Sequence, residues 1–136
     1  MTYGDGVCDI DVNMLLAAHK KMGRRATLTA IQPGGRFGAL DINQTGGVDS
    51  FVEKSKEDGG WINGGFMVLE REVLDYIEGD ATIFERAPLE RLAREGQLSA
   101  YQYDGFWQCM DTLRDMQYLE GLIADRKAPW MVWDHD

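Results

Sequence analysis

The run RATLTAI, Arg25–Ile31, is short, apolar and rich in β-branched residues, and QPGGR, Gln32–Arg36, breaks it. Such a run reads as a largely buried strand that feeds a loop. Upstream, Met14, Leu15, Ala18 and Met22 recur at helical spacing; Asp11 or Asp9 can cap that helix and Gly23 stops it. Downstream, FGALDI (37–42) and VDSFVEK (48–54) flank NQTGG (43–47), which reads as a hairpin with a somewhat long turn. A buried strand between an amphipathic helix and a hairpin places the chain in the α/β class.

The rest of the chain extends this order. INGGFMVL (62–69) reads as a strand with two adjacent glycines, where the backbone meets something closely. REVLDYI (71–77) and APLERLAREG (87–96) read as helices, the second with Pro88 in its first turn and Gly96 at its end. QLSAYQY (97–103) alternates like a strand, DGFWQCMDT (104–112) is a turn-rich approach, and LRDMQYLEGLIADR (113–126) is an amphipathic helix before a Pro129-Trp130 tail. Roughly five or six strands and four helices follow, with antiparallel hairpin strands beside helix-connected ones in a mixed sheet.

Composition bounds the function. The chain has 136 residues, enough for one compact domain. Its 14 Lys and Arg against 23 Asp and Glu give a net charge of -9, which repels a polyanion, so nucleic acid is not an expected partner. Two cysteines, Cys8 and Cys109, make no disulfide framework and pair with neither His19 nor His135 at metal-ligand spacing. No apolar run approaches the roughly 18 residues of a membrane span, and the first residues lack the order of a signal peptide. A soluble, cytoplasmic protein is the expectation.

Several acidic residues invite a metal reading. DIDVN (9–13) has the alternation of a calcium loop, but Met14 and Lys20 stand where a glycine and a bidentate glutamate belong, so capping is the better reading there. Asp5 lies between Gly4 and Gly6, after the strand-like Thr2-Tyr3 pair, either as a plain turn or as a carboxylate projecting from a sheet edge. Asp111 precedes Thr112 and a helix, so capping is its default role. Two carboxylates on separate edge loops can share one Mg2+ with substrate phosphates, although spacing alone does not bring them together. Glu53 and Lys54 are either solvated edge charges or site residues. In GGWINGGF (59–66), Asn63 can bond hydroxyls and Trp61 can wall a sugar or base.

Taken together, TYGDGVCDIDVNMLLAAHKKMGRRATLTAIQPGGRFGALDI, EKSK, DGGWINGGFMV, YIEGDATIFERAPLERLAREGQLSAYQYDGFWQCMDTLRD and KAPWMVW resemble the glucose-1-phosphate cytidylyltransferases of the sugar-phosphate nucleotidyltransferase superfamily. The similarity runs in order over essentially the whole chain. It implies a partial Rossmann-like mixed-sheet fold, with residues 1–136 as the sugar-phosphate- and metal-binding C-terminal portion of the domain. The reaction implied joins CTP and α-D-glucose 1-phosphate to give CDP-glucose and pyrophosphate, an early step toward surface polysaccharides.

By resemblance, Asp5 and Asp111 match the two aspartates that hold Mg2+. Gly38 matches a position where the backbone lies against the sugar, and Glu53 an acceptor for its hydroxyls. Lys54 matches a lysine that pairs with the sugar phosphate; Asn63 and Gly64 match further parts of the sugar pocket. Ser55 and Cys109 stand where the family has proline, which frees a backbone dihedral beside a functional residue. The family's glycine-rich G-x-G-x-R-L loop and its preceding strand, which bind the nucleotide, have no counterpart in the 136 residues. CTP is therefore an expected partner only where that half is supplied, and a homo-oligomer is expected. The alternatives are a non-catalytic sugar-phosphate binding module and an oligomerisation partner of a full-length relative.

Overall fold

A computed structural model describes residues 1–32, 39–52 and 60–133, with side chains at all of these except 39–41 and 50–52. Among the described residues it has seven strands, three α-helices and one 3-10 helix.

The expected buried strand is the centre of the molecule. β2 (Ala26–Ile31) is buried along its whole length. It pairs antiparallel with β5 (Ile62–Leu69) and parallel with β6 (Leu98–Gln102), which makes the three-stranded sheet mixed, as its sequence neighbours imply. Alternation along β2 sends Leu28 and its alanine neighbours to one face. There they join Val73, Leu89, Leu92 and Leu98 in the apolar core. Burying one such leucine is worth about 1.5–3 kcal/mol.

Thr27 serves the opposite face of β2. Helix α1 (Val12–Met22) is capped by Asp11, whose carboxylate accepts from Asn13 N at 2.8 Å, and it stops at Gly23. From α1, the buried His19 reaches Thr27 Oγ1 through Nδ1 at 2.8 Å and Glu70 Oε1 through Nε2 at 2.7 Å. His19 thus ties the helix to the central strand and to the end of β5, a structural use that needs no catalytic one.

Between β2 and β5, β3 (Ala39–Ile42) and β4 (Val48–Val52) form the expected hairpin. Its turn is held by Asn43, whose Oδ1 accepts from Thr45 N and Gly47 N, each at 3.0 Å. REVLDYI forms a 3-10 helix, Arg71–Tyr76, instead of an α-helix. APLERLAREG forms α2 (Ala87–Arg94) with Pro88 in the first turn.

The turn-rich approach to the last helix holds a strand that sequence reading missed. β7 (Trp107–Cys109) pairs antiparallel with β1 (Gly6–Cys8) in a ladder of three residue pairs, apart from the central sheet. Each strand is too short to carry a period of its own, so only tertiary pairing defines it. Helix α3 (Leu113–Ala124) follows, and Trp130 of the tail stacks on Phe106 with ring centroids 5.4 Å apart. No helix among the described residues is long and apolar enough to cross a membrane.

Candidate active site

The short β1–β7 ladder carries both candidate metal ligands. Gly6 lies opposite Cys109, and one step further Met110 N donates to Asp5 O at 2.7 Å. Asp5 and Asp111, separated by about a hundred positions in sequence, therefore leave the same end of one ladder. Both line a cavity of about 750 Å³, together with Asn63, Gly64 and Trp107.

Asp111 does not cap α3, which corrects its default reading. Thr112 is the N-cap: its hydroxyl accepts from Asp115 N, and Asp115 Oδ2 accepts from the main-chain N–H of Thr112 and of Asp111, all at 3.1 Å. That reciprocal box satisfies the helix start. The Asp111 carboxylate is exposed and makes no hydrogen bond among the described residues; the same holds for Asp5. Asp9, expected as a cap or a solvated carboxylate, accepts instead from Phe106 N at 2.9 Å and from the Tyr103 hydroxyl.

The GGWINGGF stretch builds the opposite wall. Asn63 Nδ2 donates to the Tyr3 hydroxyl at 3.2 Å, while Asn63 Oδ1 accepts from Gly65 N at 2.9 Å. These bonds fix the amide's orientation and leave it one more N–H to offer. Trp107 Nε1 donates to Gly64 O at 2.9 Å, which stands the indole beside the cavity. The double glycine meets Tyr3: Gly65 has φ +84°, and a Cβ there would lie 2.5 Å from the Tyr3 ring. Burial, and after it the neighbouring Glu85 carboxylate, push the Tyr3 phenol well above the ordinary tyrosine range.

Asp5, Glu85 and Asp111 make the cavity lining acidic. Burial, followed by the charges of Asp111 and Asp115, raises the Cys109 thiol above its ordinary range, which disfavours the thiolate. No group of three or more His, Cys, Asp or Glu able to hold a metal occurs among the described residues. Two solvent-exposed carboxylates on one edge are a poor protein cage but a suitable donor pair for Mg2+, which is bound through one or two carboxylates plus substrate phosphates. The residues present fit that cation.

Three of the expected site residues, Gly38, Glu53 and Lys54, lie outside the described residues. Asn63, Gly64, Asp5 and Asp111 line the same cavity. Trp61 does not join them; it is partly buried against the apolar core. Tyr3, Glu85 and Trp107 line the cavity and were not singled out by sequence. For Tyr3 a signal existed, because the glycine pair of β5 required a close neighbour.

Comparison with known proteins bears on the chain as a whole. No family model matches the chain. The glucose-1-phosphate cytidylyltransferase of Salmonella typhi is 57% identical over 133 residues, which cover 98% of this chain and 51% of that protein. By sequence the chain matches the C-terminal half of glucose-1-phosphate cytidylyltransferases. A probable glucose-1-phosphate cytidylyltransferase of Bacillus subtilis is 38% identical over 98% of this chain and 52% of its own length. The chain spans about half the length of the curated cytidylyltransferases it matches, the C-terminal half. More distant nucleotidyltransferases include the mannose-1-phosphate guanyltransferase of Saccharomyces cerevisiae, 33% identical over 88% of this chain and 34% of that protein.

Among solved structures, HddC from Yersinia pseudotuberculosis superposes with a TM-score of 0.71 at 22% identity, over 85% of this chain and 50% of that one. A putative glucose-1-phosphate thymidylyltransferase from Bacillus anthracis gives 0.70 at 18% identity, over 90% and 52%. Likeness at that identity shows the fold, and it is the partial mixed-sheet nucleotidyltransferase fold that the cytidylyltransferase resemblance implied.

Proposed function

We propose that residues 1–136 are the sugar-phosphate- and metal-binding portion of a glucose-1-phosphate cytidylyltransferase, acting in the conversion of CTP and α-D-glucose 1-phosphate to CDP-glucose and pyrophosphate. The observation that carries this reading is the shared edge of Asp5 and Asp111. Both carboxylates open, unpaired among the described residues, into the cavity that Asn63 also lines.

In this reaction a phosphate oxygen of the sugar phosphate attacks the α-phosphorus of CTP, and pyrophosphate leaves with the electron pair of the broken P–O bond. No protein nucleophile is needed, so the chain's work is positioning and charge neutralisation. Asp5 and Asp111 would hold Mg2+, which when bound offsets the charge of the crowded phosphates. Asn63, already oriented by Tyr3 and Gly65, offers an amide N–H to a sugar hydroxyl. Trp107 gives an apolar wall that limits water on that side of the sugar. Gly38, Glu53 and Lys54 keep the roles that family resemblance assigns: backbone contact to the sugar, hydroxyl acceptor and phosphate partner. Work in the cytoplasm, supply of a sugar nucleotide for polysaccharides and assembly into a homo-oligomer belong to the same proposal.

The reading is tested by joining the nucleotide-binding half of the Salmonella typhi relative to this chain and assaying CDP-glucose. The joined protein should form CDP-glucose from CTP and glucose 1-phosphate, and Asp111→Asn should abolish it. A folded joined protein that makes none, beside an active relative, would sink the reading.

A further inference from the structure

The ladder that presents Asp5 and Asp111 is only three residue pairs long and has no other strand beside it among the described residues. So short a ladder is weakly specified, because a slip by one residue exchanges its faces and re-pairs its ends. At the cavity end, Met110 N donates to Asp5 O. At the opposite end stands Asp9, whose N–H donates to Phe106 O at 3.3 Å while its Oδ1 accepts from Phe106 N at 2.9 Å. The same carboxylate accepts from the Tyr103 hydroxyl.

Tyr103 carries this contact into the central sheet. Its main-chain N–H donates to Ala30 O of β2 at 2.9 Å. Its phenol lies over Gly105, where a Cβ would stand 2.1 Å from the hydroxyl oxygen, so only glycine leaves room for it. Burial first, and then Asp9, raise the Tyr103 phenol above its ordinary range, which keeps it a donor. One path of bonds thus runs from β2 through Tyr103 and Asp9 to the start of β7.

We infer that Asp9 is a positioning residue: by bonding Phe106 and Tyr103 it pins the register of the β1–β7 ladder to the central sheet, and so sets Asp5 beside Asp111. A helix cap would not do this, and the cap of α1 is Asp11. The role of the ladder in binding a cation rests on the function proposed above; the pinning itself does not.

Two readouts separate these. Amide exchange at Met110, measured by NMR on the folded chain, reports the register directly. Asp9→Ala should speed it by roughly tenfold or more while β2 amides stay protected. Asp9→Asn, which keeps the accepting oxygen, should stay close to the wild-type rate. Should Asp9→Ala fail to fold, Tyr103→Phe decides, with a smaller acceleration expected at the same amide. Unchanged Met110 exchange in a folded Asp9→Ala or, failing that, in Tyr103→Phe overturns the inference. Mn2+ binding, followed by electron paramagnetic resonance with glucose 1-phosphate present, should weaken in parallel. A wild-type chain without Mn2+ affinity would count against the proposed function, while Met110 exchange still decides the role of Asp9.

Discussion

The ring of Tyr3 lies so close to Gly65 that a Cβ on the glycine would stand 2.5 Å from a ring carbon. Gly65 also has φ +84°, which disfavours any side chain. Met1 continues the contact, exchanging both main-chain hydrogen bonds with Met67 at 2.9 Å. Gly65→Ala should therefore destabilise the chain by roughly 1–3 kcal/mol and displace Tyr3 from Asn63. Urea unfolding checks the first effect; a variant as stable as wild type would contradict the packing described.

Asp111 and Asp115 are four residues apart but should behave oppositely. Asp115 holds two N-terminal amides of the α3 start, so Asp115→Ala should cost about 1 kcal/mol of stability. The carboxylate of Asp111 takes no part in that box. Asp111→Asn should leave the unfolding midpoint within experimental error and remove Mg2+ affinity, as calorimetry would record. A large loss of stability in Asp111→Asn would return it to a capping role.

His19 joins three elements from a buried position. His19→Ala should lower stability by roughly 2–4 kcal/mol, since it opens a cavity and leaves the buried Thr27 hydroxyl without its partner. Thermal unfolding measures this, and a shift near zero would show that α1 is held by other contacts.

Alkaline pH should weaken the fold. Burial raises the Cys8 thiol to about 11, and it raises Cys109 in the same direction. An acid whose folded pKa lies above its unfolded one lends stability that is complete below the unfolded value, about 8.5 for a thiol. That stability is lost as pH rises through the folded value. Alkylation of Cys8 by iodoacetamide should accordingly rise with a midpoint near pH 11. A midpoint near the ordinary thiol value would show that Cys8 is not desolvated.

Long-period elements were legible because their pattern is internal to them. The apolar spacing of α1 and the uninterrupted run of β2 needed no knowledge of partners. INGGFMVL likewise matched β5 residue for residue. The β1–β7 ladder was illegible for the converse reason: its strands have three residues each, and pairing across the chain creates them. The 3-10 form of Arg71–Tyr76 follows a related rule, since a segment of only six residues has no propensity strong enough to fix its hydrogen-bond spacing. At the site, residue context already marked Asp5, Asp111 and Asn63 as candidates and family resemblance added Gly64, whereas Tyr3 and Trp107 emerged from packing alone. Asp9 was misread because an aspartate two residues before a true cap looks like one.

The central claim is that Asp5 and Asp111 together form a cation-dependent sugar-phosphate site. Calorimetric titration of glucose 1-phosphate into the folded chain, with and without Mg2+, tests it most directly. Binding should require Mg2+ and should disappear in the Asp5→Asn, Asp111→Asn double variant while the circular dichroism spectrum stays unchanged. Absence of binding by the folded wild-type chain, or binding that the double substitution leaves intact, would contradict the claim.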